Sequence, residues 1–160
     1  MAERLKDKVA IVTGAGSIGP GWGNGKAASV LFAREGAKIF AVDLNPDAAE
    51  ETRQIIREEG GECTGQRADV SVATEVEAMV ESCVESYGRV DVLLNNVGIL
   101  DVGGPVETSE ESWDRVVDVN LKSMFLTCKY VLPHMERQGV GTIVNISSIA
   151  SLRWLGVPYV

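Results

Sequence analysis

Apolar residues in this chain fall into five short runs, separated by longer stretches in which apolar positions recur at helical spacing. The runs are Val9–Val12, Ala37–Val42, Glu62–Ala68, Val90–Leu94 and Thr142–Ile146, the third being the least apolar. Val9-Ala10-Ile11-Val12 is apolar at consecutive positions, which suits a strand covered on both faces, as in a parallel sheet. Between the runs, Gly25 to Glu35 places Ala27, Val30, Leu31 and Arg34 at helical spacing, with Gly36 as a stop. Asn45-Pro46 supplies an N-cap and a first-turn proline, and Gly60-Gly61 ends that helix. Thr74-x-x-Glu77 and Thr108-x-x-Glu111 have the spacing of capping boxes, and Gly88 and Gly139 close the third and fourth helices. The predicted order is β-α-β-α-β-α-β-α-β. That alternation implies right-handed crossovers and a Rossmann-type doubly wound parallel sheet of α/β class, forming one domain over residues 1–160. Only about 14 residues follow the fifth run, and a complete six- or seven-stranded sheet needs more chain, so the expectation is a domain truncated after its fifth strand.

Composition narrows the function class. Hydrophobic residues make up 45% and charged residues 24% of the 160, the balance of an ordinary globular chain. No apolar run reaches the ~18 residues a membrane span needs, and Met1-Ala2-Glu3-Arg4-Leu5-Lys6 has no signal-peptide core, so the expected location is cytoplasmic with no membrane partner. A net charge of −8 argues against nucleic acid. Cys63, Cys83 and Cys128 are widely spaced and odd in number, which predicts free thiols. His134 is the single histidine and has no nearby cysteine, so no metal is expected.

The first strand runs into Thr13-Gly14-Ala15-Gly16-Ser17-Ile18-Gly19-Pro20-Gly21-Trp22-Gly23-Asn24-Gly25-Lys26. Glycines between a strand and a helix let the backbone approach a pyrophosphate, whose charge is stabilised at the helix N-terminus. Gly14 to Gly19 matches G-x-G-x-x-G literally, but an acidic partner is expected ~20 residues beyond the motif. Asp43 lies 18 residues past Gly25 and 24 past Gly19, which places Gly25 at the helix start. At the end of the second strand the Asp43 carboxylate can accept hydrogen bonds from adenosine ribose hydroxyls. It would repel a 2′-phosphate by roughly 1–4 kcal/mol per charge pair at ~4 Å. NAD is therefore expected ahead of NADP. A solvated turn aspartate that starts the Asn45-Pro46 cap is the other reading of Asp43.

With these residues in place the chain resembles a short-chain dehydrogenase/reductase. Thr13-Gly14 and Gly23-Asn24-Gly25 resemble the family's T-G-x-x-x-G-x-G, with five extra residues, Ile18–Trp22, in between. Asp69-Val70 resembles the pair that holds the adenine ring. Asn95-Asn96-Val97-Gly98 resembles N-N-A-G, with Val for Ala. Asn120 in Val119-Asn120-Leu121 resembles the helix asparagine of the catalytic tetrad, and Ile143 to Ser148 the fifth strand with its catalytic serine. The resemblance implies that Gly14, Ser17, Gly23, Gly25, Asp43, Asp69, Val70, Asn96 and Gly98 hold the cofactor. It also implies that Ser148 hydrogen-bonds the substrate oxygen and that Asn120 anchors a proton-relay water. Asn120 stands out independently, as a polar amide on the line Val116, Asn120, Met124, Cys128, Val131, where it must find partners. A buried structural asparagine bonded to backbone satisfies the same constraint. A strand-end serine that only caps a turn is the other reading of Ser148. Trp113, Met124 and Phe125 are assigned to the core.

The family's acid/base pair, Tyr-x-x-x-Lys, follows the fifth strand. Its tyrosine is expected about 13 residues after the serine, one residue past Val160, and Tyr159 is read as a loop residue. The expected activity is NAD(H)-dependent interconversion of a small-molecule alcohol and carbonyl, in a homodimer or homotetramer, with the isolated 160 residues inactive. The alternative is a non-catalytic dinucleotide-binding module or a truncated product.

Overall fold

The computed structural model describes residues 3–152 together with Gly156. Its elements are β1 (Val9–Thr13), α1 (Asn24–Arg34), β2 (Lys38–Asp43), α2 (Pro46–Glu58), β3 (Cys63–Arg67), α3 (Ala73–Tyr87), β4 (Val92–Asn95), α4 (Glu110–Val117), a π-helical turn over Asp118–Lys122, α5 (Ser123–Gln138) and β5 (Thr142–Asn145). A short 3₁₀ turn follows at Ile149–Ser151. The strands form one parallel sheet in the order β3-β2-β1-β4-β5, so the chain reverses direction of build-up between β3 and β4. Ligands bind in open α/β sheets at the C-terminal strand ends beside such a reversal.

The consecutive apolar residues of β1 and β2 work as the pattern requires. Val9, Ile11, Phe40 and Val42 face a layer that includes Val76, Met79 and Val80 of α3 and Leu126 and Val131 of α5. Ala10, Val12, Ile39 and Ala41 face the other way, toward Val30 of α1 and Ile56 of α2. All eight strand residues are essentially inaccessible to solvent. This double burial, at roughly 25 cal/mol per Å² of apolar surface, holds the sheet between its helices.

Two expected helix starts are corrected. α3 begins at Ala73 with Val72 as its N-cap and no side-chain cap, because Thr74 already lies inside the helix. α4 is capped by Ser109, whose hydroxyl accepts from the Ser112 N–H, while the Thr108 hydroxyl turns back to the Gly104 carbonyl. In both segments capping-box spacing existed one or two residues away from the true boundary. Gly88 and Gly139 close α3 and α5 in the left-handed conformation, as expected. Trp113 and Phe125 are exposed rather than core, at 57% and 62%. No helix among the described residues is long and apolar enough to cross a membrane. Cys63 and Cys83 are buried free thiols, each pushed up to about 12 by burial, and Cys128 is a half-buried one.

Candidate active site

The parallel order brings the expected site residues to one edge of the sheet. Gly14 follows β1, Asp43 ends β2, Asp69 lies just past β3, Asn96 just past β4 and Ser148 just past β5. Gly14 turns the chain at φ +63°, a conformation that favours glycine. Gly25 is required for a different reason. A Cβ there would lie 1.8 Å from the Gly14 carbonyl oxygen, so the start of α1 packs directly on the turn after β1. The result is a shelf of bare backbone at the opening of a helix. It fits a diphosphate, because first-turn N–H groups have no intrahelical partners and the helix dipole favours negative charge. Gly98 shows the converse: a Cβ would meet only Asn120 Oδ1, at an ordinary 3.8 Å, so no protein neighbour demands glycine there.

Asp43 is not a loose turn residue. Its Oδ2 accepts from the Gly16 N–H at 2.9 Å and its Oδ1 from the Asn45 N–H at 2.9 Å. It thus ties the glycine turn to the start of α2, where the Asn45 side chain accepts from Asp47 N–H as the helix cap. Asp69 Oδ1 accepts from both the N–H and the hydroxyl of Ser71, and the Asp69 N–H donates to Glu75. The Asp69 N–H and Arg67 together hold the Glu75 carboxyl below the usual carboxylate range. The Val70 side chain is buried in the core, so only its backbone can meet a ligand. Asn96 donates to the carbonyls of Thr13 and Gly14, and its N–H reaches the Thr13 hydroxyl, which locks the end of β4 to the glycine turn.

Asn120 sits in the π turn. Its Oδ1 accepts from the Ile99 N–H and its Nδ2 donates to the Ile99 carbonyl, both at 2.8 Å. The side chain therefore staples the segment after Gly98 to the helix, as a backbone-bonded asparagine would. The turn itself is marked by a bond from the Ser123 N–H to the Asp118 carbonyl, five residues back, while the Ser123 hydroxyl serves the Val119 carbonyl. Ser148 is exposed, and its hydroxyl oxygen accepts from the Ala150 N–H at 3.1 Å. Tyr159 lies outside the described residues.

Asn95 and Lys26 contribute here without having been singled out by sequence, and the expected cofactor residue Ser17 has a different task. Asn95 donates to Asn145 and accepts from the Thr127 hydroxyl, joining β4, β5 and α5 beneath the site. Ser17 is used internally: its hydroxyl oxygen accepts from the Gly23 N–H at 2.7 Å and its proton goes to the Gly21 carbonyl. Lys26 is 3% exposed and shares the buried face of α1 with Ser29 and Val30. The helical line read from sequence, Ala27, Val30, Leu31 and Arg34, shares only Val30 with this buried face.

The sequence profile described as short chain dehydrogenase matches residues 8–158. An uncharacterised oxidoreductase of Thermotoga maritima is 44% identical over 96% of this chain and 58% of its own length. A 2-(R)-hydroxypropyl-CoM dehydrogenase of Xanthobacter autotrophicus is 42% identical over 91% of this chain and 58% of its own. A solved short-chain dehydrogenase/reductase from Burkholderia xenovorans superposes with a TM-score of 0.94 at 50% identity, covering 97% of this chain and 62% of that one. The chain thus spans about three-fifths of the length of the proteins it matches. The family profile over nearly the whole chain, the identities and the close superposition place the chain in the short-chain dehydrogenase/reductase family.

Proposed function

We propose that the protein is an NAD(H)-dependent oxidoreductase that interconverts an alcohol and a carbonyl in a small molecule, and that it works in the cytoplasm. The carrying observation is Asp43. Its carboxylate ends β2 beside the glycine turn, fixed by two backbone N–H groups, and Leu44 to Asp47 bring no cation that could neutralise a 2′-phosphate. A carboxylate so placed accepts from ribose hydroxyls and repels phosphate. The relatives named cyclohexanol dehydrogenase, at 37% identity, and 2-(R)-hydroxypropyl-CoM dehydrogenase support an alcohol as the reduced partner.

In this reading Gly14, Ser17, Gly23, Gly25, Asp69, Val70, Asn96 and Gly98 shape the cofactor site with Asp43. Ser17 and Gly23 act by holding the turn rather than by offering their own polar groups. When bound, the nicotinamide supplies the hydride chemistry. Ser148 donates to the substrate oxygen, its own oxygen being already oriented by Ala150. Asn120 holds Ile99 in place, and any relay water rests on the main chain of the π turn, since both ends of the amide are engaged.

The test is to measure dissociation constants of NADH and NADPH for the full-length protein, alongside alcohol-dependent NADH formation. NADH should bind about 10-fold tighter or more, the equivalent of ~1.4 kcal/mol, and Asp43→Ala should narrow the gap. Equal or tighter NADPH binding overturns the assignment of NAD.

A further inference from the structure

The five residues that interrupt the glycine motif have no support from the core. Ile18 is fully exposed, Trp22 is 60% exposed, and a Cβ added at Gly19 or Gly21 would meet nothing within 4 Å. The base of this loop is nevertheless tied at one point. The Gly21 carbonyl accepts from the Ser17 hydroxyl and from Lys26 Nζ, each at 3.2 Å. The same Nζ pairs with Glu51 of α2 at 2.6 Å and lies 5.4 Å from the centre of the Trp22 ring. Burying an ammonium group is costly unless it is paired and hydrogen-bonded. Here nearly the whole Lys26 side chain is buried, while Glu51 stays 61% exposed. A buried cation is thus committed to holding an otherwise unsupported loop and one face of an exposed tryptophan.

The loop rises from the backbone shelf described above. Its two ends are Ser17 and Gly23, and a Cβ at Gly23 would lie 3.0 Å from the Gly16 carbonyl oxygen. We propose that the Ile18–Trp22 loop closes over the diphosphate and adenosine portion of the nicotinamide cofactor, with Trp22 as the covering side chain and Lys26 as the positioning residue that holds the loop; this rests on the cofactor site proposed above. Amphipathic Trp suits the task, with an apolar ring to exclude water and an N–H to donate. Lys26 acts from below, through Gly21 and Trp22, and touches no cofactor atom.

The experiment uses the full-length protein, with NAD⁺ and ADP-ribose as probes because both carry the diphosphate. Trp22→Ala and Lys26→Met should each weaken binding of both probes by about 3- to 10-fold, the effect of losing one aromatic contact. The Trp22 fluorescence, taken as the difference between wild type and Trp22→Phe, should become less accessible to acrylamide when NAD⁺ saturates the site. That shielding should be lost in Lys26→Met. Trp22 is a surface residue, so its variants report even if Lys26→Met fails to fold. Unchanged dissociation constants in a folded Trp22→Ala, or acrylamide access that NAD⁺ leaves unaltered, would overturn the proposal while leaving the cofactor reading intact. Absence of any NAD⁺ or NADP⁺ binding by wild type would overturn both.

Discussion

A single carboxylate far from the ligand edge shows how one residue holds this sheet. Asp91 is 4% exposed and sits just before β4, where its Oδ2 accepts from the Val9 N–H of β1 at 3.0 Å. Arg89 grips the same carboxylate through Nε at 2.8 Å and a terminal nitrogen at 2.6 Å, with Lys8 at 3.7 Å. Desolvation pushes its pKa up, but the Arg89 hydrogen bonds, the Val9 N–H and the nearby cations outweigh that and hold it below the ordinary value. A group depressed in the folded state contributes stability that is present above its unfolded pKa of about 3.9 and is lost as pH falls through the folded value. Asp91→Asn should cost about 1–3 kcal/mol at pH 7, read as a lower urea midpoint, and the gap to wild type should shrink once pH drops below about 4. A gap that stays constant down to pH 3 would show that the charge is irrelevant. Asp91 was invisible in the sequence, because nothing in Arg89-Val90-Asp91 announces that the carboxylate turns inward to a strand 82 positions away. Asp43 was legible, because a strand end and a motif spacing both point at it. Lys26 was not legible, since the helical line read from sequence ran through Ala27, Val30, Leu31 and Arg34, whereas the buried face carries Gly25, Lys26, Ser29 and Val30.

At the scale of elements, periodicity located all five strands to within a residue or two, since double burial leaves a strong signal in consecutive apolar residues such as Ile39 to Val42. It failed where two hydrogen-bonding options compete locally. Thr108 had capping spacing but Ser109 caps, because the Thr108 hydroxyl is drawn to the Gly104 carbonyl. The fourth helix was read as one regular element, and no helical wheel reveals the π turn over Asp118–Lys122. Such turns often mark functional positions. Here the extra residue coincides with Asn120, whose amide pairs with both backbone groups of Ile99. Asn120→Ala should lower stability by about 1–3 kcal/mol through those unpaired groups. If the turn also positions a proton relay, kcat should fall by about 10²-fold while the dissociation constant for NADH stays within a factor of about two. Asn120→Asp keeps the acceptor for the Ile99 N–H but faces the Ile99 carbonyl with a second acceptor, so it should not rescue. A drop in melting temperature with unchanged kcat would leave Asn120 a structural staple only.

Across the whole molecule, apolar surface and sheet edge lie on one side. Trp113, Leu121, Phe125 and Leu132 remain exposed on α4, the π turn and α5. Val117, Leu121, Met124, Phe125 and Cys128 line a groove of about 510 Å³ with Lys122 and with Asn145 of β5. The core takes Val116, Leu126, Val131 and Met135 from these helices, so an apolar stripe is left of the kind that marks an interface. A two-fold pairing of the stripe predicts a dimer or tetramer of the full-length protein at micromolar concentration by light scattering. Phe125→Glu should shift it toward monomer, and a monomeric wild type would refute the pairing. β5 lies beside the stripe. It pairs only with β4 among the described residues, and Val144 and Ile146 are 39% and 42% exposed. An apolar strand with an open edge templates association, so residues 1–160 expressed alone should aggregate more readily than a protein of the matched relatives' full length. The same piece should show no alcohol-dependent NADH formation. None of its tyrosines is followed four residues later by a lysine within the 160: Asp91 follows Tyr87, His134 follows Tyr130, and Tyr159 is the penultimate residue. Ser148 can polarise a carbonyl but cannot by itself supply or remove the proton. A general acid–base group typically contributes ~10²–10⁴-fold, which puts the short piece near background. NAD⁺ binding should survive in part, because Asp43, the glycine turn and Asp69 all lie within it. Turnover by residues 1–160 at a rate comparable to the full-length protein would show that proton transfer runs through a group inside this stretch, and the role given to a Tyr-x-x-x-Lys pair would fall.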